Sequence, residues 1–154
     1  QRAGRLRAVG GDRRRAVAKR QRRHVGGQRA ALDQIGSSGA DAGGLAVATG
    51  KARRGLDRVL KSHGWENYFD ITRAADETAS KPDPLMLHET LQHFQLPPER
   101  ALMVGDSSFD LQMAHNAGMD SVAVGYGAQP LAVLQEQRPR LAIERFSQLR
   151  EWLA

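Results

Sequence analysis

The sequence predicts an α/β fold, a Rossmann-like three-layer sandwich with a mostly parallel sheet and helices on both faces. Three observations carry this expectation. Short apolar runs recur at Leu45–Ala48, Ala101–Val104 and Ser121–Val124, each ending in a residue that lets the chain turn. Stretches with apolar residues spaced three and four apart lie between them. Strands alternating with helices imply right-handed crossovers and parallel pairing.

The elements follow in order from residue 45. Leu45-Ala46-Val47-Ala48 reads as a strand buried on both faces, ended by Thr49-Gly50-Lys51. A helix is expected over about 52–62, with Leu56, Val59 and Leu60 on one face and Gly64 as its stop. Tyr68-Phe69-Asp70-Ile71-Thr72 reads as a short strand. A polar loop, 74–80, leads to Lys81-Pro82-Asp83-Pro84, where two prolines exclude regular structure and Pro84 can open the next helix. That helix runs to Phe94, with Leu87, Leu91 and Phe94 inward. Ala101-Leu102-Met103-Val104 is the central apolar strand, with Gly105 allowing a sharp turn at its end. The helix after it carries Leu111, Met113, Ala114 and Ala117 inward and stops at Gly118. Ser121–Val124 is a strand, 130–136 a helix, Leu141–Ile143 a short edge strand, and 146–153 a closing helix.

Composition divides the chain near Gly43-Gly44. Residues 1–44 hold ten Arg and one Lys against three Asp, a local charge of +8; the remaining twelve basic and fourteen acidic residues give −2. All Phe, Tyr and Trp lie after residue 44, while nine of the 16 Gly lie before it. With few large apolar residues the first segment cannot offset its own ordering entropy. It reads as disordered or atypical, with a helical turn or two over 16–21 at most. Its arginines would suit nucleic acid, yet no aromatic residue interleaves with them to stack on bases. Arg-, Gly- and Ala-rich sequence without periodicity is also what an out-of-frame reading of GC-rich DNA gives. Nucleic acid is therefore not the expected partner.

With no cysteine, disulfides and thiolate sites are excluded. No apolar run approaches the about 20 residues of a membrane span, and the basic start offers no signal-peptide core. A cytoplasmic protein without a membrane partner is the expectation, with the oligomeric state left open.

Chemistry concentrates at three strand ends. Thr49 follows the first strand, Lys81 precedes a helix, and Asp106 and Asp110 follow the central strand. In a parallel sheet these ends share one edge, where open α/β sheets place their ligands. A hydroxyl, the N–H groups of Gly50 and Lys51 at a helix start, and an ammonium would hold phosphoryl oxygens. Two carboxylates would hold Mg²⁺. Blander readings stand beside these. Asp106 could cap the helix while Asp110 complements its dipole, Thr49 could be only an N-cap, and Lys81 only an exposed loop lysine. Lys51, Arg53 and Arg54 read as a solvated helix face. His63, His88, His93 and His115 read as surface or packing residues.

At these residues the sequence resembles the haloacid dehalogenase-like (HAD) hydrolase superfamily, subfamily IA, in its phosphoglycolate-phosphatase-like branch. The resemblance covers residues 45–154. Leu45 to Lys51 looks like the second motif, a hydrophobic strand ending in Thr or Ser. Ser80-Lys81-Pro82-Asp83-Pro84 looks like the third, with its lysine. Gly105-Asp106-Ser107-Ser108-Phe109-Asp110 looks like the fourth, Gly-Asp-x-x-x-Asp. The resemblance implies a Mg²⁺-dependent phosphatase acting on a small phosphorylated metabolite. Thr49 would bond the phosphoryl group, Lys81 would steady nucleophile and phosphate, Asp106 would bind Mg²⁺, and Asp110 would bind or support it. The first motif, Asp-x-Asp-Gly-Thr after a strand, has no match in residues 1–44, and the helical cap that comes after it is missing. The sequence therefore predicts a core that is incomplete at its N-terminal side, without its central strand, and a chain truncated or altered at its start. Without the nucleophile, hydrolysis would fall by orders of magnitude. The alternative is a non-catalytic phosphate- or Mg²⁺-binding protein with a basic tail.

Overall fold

Two apolar runs set the layers. Leu45–Ala48 and Ala101–Gly105 are buried at every residue, as strands covered on both faces must be. The structure, a computed structural model, describes the backbone of residues 15–18 and all of residues 44–153. Its strands are β1 (Arg15–Ala18), β2 (Leu45–Ala48), β3 (Ile71–Arg73), β4 (Ala101–Gly105), β5 (Asp120–Val124) and β6 (Leu141–Ile143). They form one sheet in the order β3-β2-β1-β4-β5-β6, with every described pairing parallel. The helices are α1 (Arg53–Ser62), α2 (Leu85–Phe94), α3 (Ser108–Asn116), α4 (Leu131–Leu134) and α5 (Ser147–Leu153).

The predicted three-layer α/β architecture is present, with one correction. The sequence left the central position of the sheet empty, and Arg15–Ala18 fills it. Ala16 pairs with Leu45 on one side and Leu102 on the other, and Ala18 pairs with Val104. The helical turn expected from Ala16 is a strand at its start. Arg-Ala-Val-Ala has too little apolar periodicity to announce a strand; here the unpaired edges of β2 and β4 supply the partner groups that fix it. The remainder of that turn, over 19–21, lies outside the described residues, as does the place where a cap would be inserted.

The strands' side chains alternate between two cores. Ala46, Ala48, Ala101 and Met103 meet α2 and α3 through Met86, Leu87, Leu91, Met113 and Ala114. On the other face Val47 meets Leu56 and Leu60 of α1, with Trp65, while Leu102, Val104, Val122 and Val124 meet Leu149 of α5. Helix ends fall where the sequence placed them. Gly64 and Gly118 take φ of +65° and +73° just beyond α1 and α3, a conformation that costs glycine little. The strand expected over 68–72 is shorter and later, because Tyr68 and Phe69 turn into an aromatic cluster with Trp65. The helix expected over 130–136 divides into α4 and a 3₁₀ turn at Gln135–Gln137. No helix among the described residues is long and apolar enough to cross a membrane.

This strand order changes direction between β1 and β4. Crossovers run one way toward β3 and the other way toward β6, so a crevice opens beyond the carboxyl ends of β1 and β4.

Candidate functional site

β2 and β4 deliver their next residues to this crevice. The Thr49 N–H donates to the Arg73 carbonyl at 3.1 Å, extending the β2–β3 pairing one residue past the strand. That bond holds the buried Thr49 at the sheet edge. Its hydroxyl oxygen accepts the Lys51 N–H at 3.1 Å, closing a tight turn around exposed Gly50. Thr49 is not the cap of α1; that position is Ala52, whose side chain makes no capping bond. The Lys51 N–H, expected to face a phosphate, serves this turn instead.

Lys81 is the opposite of an exposed loop lysine. Its side chain is only 8% exposed. The ammonium donates to the Asp110 carboxylate at 2.6 Å and to the Ala48 carbonyl at 3.1 Å. One side chain thus ties the loop before α2 to the end of β2 and the start of α3. The Asn116 amide adds a tie from α3 to the Pro82 carbonyl at 3.0 Å.

Asp110 is fully buried and committed on both oxygens. Oδ1 faces Lys81, while Oδ2 accepts from the N–H groups of Asp106 and Ser107, both at 3.2 Å, and from the Ser107 hydroxyl at 3.0 Å. Ser107 is the N-cap of α3, and with Asp110 it forms a reciprocal capping box. The Ser107-x-x-Asp110 spacing carries that signal in the sequence, and Ser107 rather than Asp106 is the cap. Gly105 has a second use there. A Cβ on it would stand 2.4 Å from the Asp110 Cβ, so the missing side chain is the space Asp110 occupies.

Asp106 is held differently. It is 5% exposed, and its Oδ2 accepts the Ala128 N–H at 3.1 Å. The Gln129 N–H donates to the Asp106 carbonyl at 3.2 Å, and the Gln129 side-chain oxygen accepts the Ser108 N–H. The loop after β5 therefore orients Asp106 and closes the first turn of α3. Nothing in the sequence singled out Ala128 or Gln129, because the bonds involve main-chain groups of an otherwise ordinary loop.

The two carboxylates expected to serve a cation are both at this edge, and Asp110 takes the supporting arrangement, bonded to Lys81. Lys81 neutralises Asp110, whereas Asp106 sits at the strand end. Among the described residues no group of three His, Cys, Asp or Glu stands close enough to hold a metal. Mg²⁺ takes one or two carboxylates, with phosphate oxygens and water completing its shell. The donor set fits a cation held by Asp106 and mainly by what the substrate and solvent bring. His88, His93 and His115 are exposed, and His63 is half-buried against Trp65.

After β1 the sequence reads Lys19-Arg20-Gln21-Arg22-Arg23, and the first carboxylate beyond Ala18 is Asp33. Asp12, Asp33 and Asp41 all lie outside the described residues.

Comparison with known proteins shows the family. The family model described as haloacid dehalogenase-like hydrolase matches residues 14–124, so the match begins beside β1. The chain is 31% identical over 110 residues to a phosphoglycolate phosphatase of Psychrobacter arcticus, covering 71% of this chain and 48% of that protein. It is 32% identical over 106 residues to a pyrophosphatase PpaX of Bacillus thuringiensis, covering 68% and 49%. A crystal structure of a HAD-superfamily hydrolase, subfamily IA, variant 1, from Geobacter sulfurreducens superposes with a TM-score of 0.68 at 30% identity. It covers 84% of this chain and 55% of that one. The chain spans about half the length of the curated relatives it matches. With the family match over most of its length and the buried Thr49, Lys81 and Asp106 at one sheet edge, the chain belongs to the haloacid dehalogenase-like hydrolases.

Proposed function

We propose that residues 44–153 carry the phosphate-binding side of a Mg²⁺-dependent phosphomonoesterase and that this chain, as written, binds a small phosphorylated metabolite without hydrolysing it. The observation that supports the reading is the buried Lys81 ammonium, held between the Ala48 carbonyl and Asp110 beside the Thr49 turn. Its position is fixed by residues around it rather than by a ligand, as electrostatic preorganisation requires. The Thr49 hydroxyl, whose oxygen already accepts from Lys51, has its proton to donate to a phosphoryl oxygen. The Gly50 N–H and the Lys51 side chain are the further candidates for phosphate contact. Asp106 would hold Mg²⁺, which when bound polarises the phosphoryl group and offsets its charge. Asp110 orients Lys81 and α3.

The absence of turnover is argued from the residues after β1. A covalent mechanism needs a carboxylate in line with phosphorus, and Lys19 to Arg23 offer none. The phosphatase and pyrophosphatase activities in the relatives' names belong to longer proteins. A cytoplasmic location fits a small-metabolite substrate.

Phosphate binding tests the reading. Titration with inorganic phosphate, followed by amide NMR, is expected to shift Gly50, Lys51 and Lys81. Lys81→Met should weaken the effect at least about tenfold, the order expected for losing a charge-assisted bond. Equal binding by native chain and variant would refute it.

A further inference from the structure

Arg53 stands at the wrong end of its helix. It is the first residue of α1, a helix with no acidic residue in its first turn and no side-chain cap. A cation there opposes the helix dipole. Compensation comes from the loop that leads to Lys81. The guanidinium donates to the Thr72 hydroxyl and the Thr72 carbonyl, both at 2.8 Å, and to Glu77 Oε1 through two nitrogens at 3.0 and 2.5 Å. A longer contact reaches Asp57 at 3.3 Å. The Arg53 main-chain N–H donates to Asp76 Oδ1 at 2.8 Å, so Asp76 supplies the cap that Ala52 cannot.

The loop is tied back in turn. Glu77 Oε1 also accepts the Ala74 N–H at 3.0 Å, and the Ala75 N–H donates to the Lys51 carbonyl at 2.9 Å. The Lys51 N–H is the one that closes the Thr49 turn. A chain of bonds therefore runs from Arg53 to Glu77 and Ala74, and from the adjoining Ala75 to Lys51 and Thr49. Pairing alone does not explain the arrangement. Arg53 and Glu77 are each about a third exposed (30% and 32%), where a simple ion pair contributes little. The planar fork that spans three partners is the geometry only arginine provides.

We propose that Arg53 is a positioning residue for the phosphate turn: with Glu77 it fastens the 74–77 loop to Lys51, so that the turn at Thr49 is formed before the anion arrives. This rests on the phosphate reading of that turn. Arg53 acts through Glu77 and the Ala74-Ala75 segment rather than by touching the ligand itself.

Charge and position predict opposite signs at Glu77. Glu77→Gln removes a negative charge near the turn, which by charge alone tightens an anion. By position it loosens the turn and weakens binding. The experiment uses the full chain, with inorganic phosphate as probe, in Arg53→Ala, Arg53→Lys, Glu77→Gln and Arg54→Ala. Arg54 is an exposed cation one residue on and controls for charge. Phosphate affinity should fall about fivefold or more in the first three variants and less than about twofold in Arg54→Ala, a gap of the size expected for losing preorganisation rather than screened charge. Amide exchange at Ala75, read without phosphate, should speed up in the same three. Equal or tighter phosphate binding by Glu77→Gln overturns the proposal, as does unchanged exchange at Ala75. If the native chain binds no phosphate, the phosphate reading fails by itself, and exchange at Ala75 still decides whether Arg53 and Glu77 hold the loop to the turn.

Discussion

Lys81 and Asp110 form the buried ion pair on which the site's geometry turns, at 8% and 0% side-chain exposure. Such a pair is worth little against an apolar replacement of both partners, but losing one strands the other. Lys81→Met leaves Asp110 charged and buried and should cost about 3–5 kcal/mol, read as a lower urea midpoint with unchanged slope. Gly105 tests the packing around the same carboxylate. Gly105→Ala places a methyl 2.4 Å from the Asp110 Cβ, a contact only a backbone shift relieves. The expected loss is about 1–3 kcal/mol, as for other overpacked sites, and calorimetry would read it as a lower Tm. The sequence made Lys81, Thr49 and Asp106 legible as residue types at strand ends. The Ser107-x-x-Asp110 spacing also carried the capping box, but not the bond from Lys81 to Asp110, whose partners lie 29 residues apart.

Loops rather than strands decide how these residues are aimed. The 74–77 loop joins Arg53, Glu77 and the Thr49 turn, and its strength varies with pH. The hydrogen bond from Arg53 holds the Glu77 carboxyl below its ordinary range, opposed by partial burial and helped by the Ala74 N–H and by Arg73. Arg53 is correspondingly raised, first through the bond to Glu77. Arg53 and Arg73 attract the Glu77 carboxylate, with Asp57 and Asp76 as the other carboxylates gathered at Arg53. A carboxyl depressed on folding adds stability above its unfolded value and loses it as pH falls through the folded one. The urea-midpoint difference between the native chain and Glu77→Gln should therefore be full at neutral pH and vanish in acid. High salt should shrink it, because the pair is partly exposed. A difference that persists in acid would show that Glu77 acts by packing alone. The sequence read Arg53 as part of a solvated helix face. Three of its partners lie 19 to 24 residues away, a separation that no local period encodes.

At the scale of the whole molecule, alternating apolar runs and amphipathic stretches were enough to predict a parallel sheet between two helical layers. Continuous burial in β2 and β4 leaves few alternatives. The central strand was not legible, because four residues flanked by basic side chains, Arg14 and Lys19, carry no hydrophobic signature of their own. β1 forms because β2 and β4 present unpaired main-chain groups on both sides. Val17→Pro removes a ladder N–H from this central strand and should cost about 3 kcal/mol or more. Deleting residues 1–18 should leave two facing edges open and cause self-association, visible in sedimentation against the full chain. The proposed lack of turnover belongs to this scale as well, since it rests on the Lys, Arg, Gln, Arg and Arg that succeed β1 in the sequence. Binding without turnover is decided by a titration of the full chain with phenyl phosphate and Mg²⁺, read at once as amide shifts and as phenol released, beside Asp106→Asn. Saturable shifts at Gly50 and Lys81 with no phenol release are expected. Phenol release that requires both Mg²⁺ and Asp106, or the absence of any binding, would contradict binding without turnover.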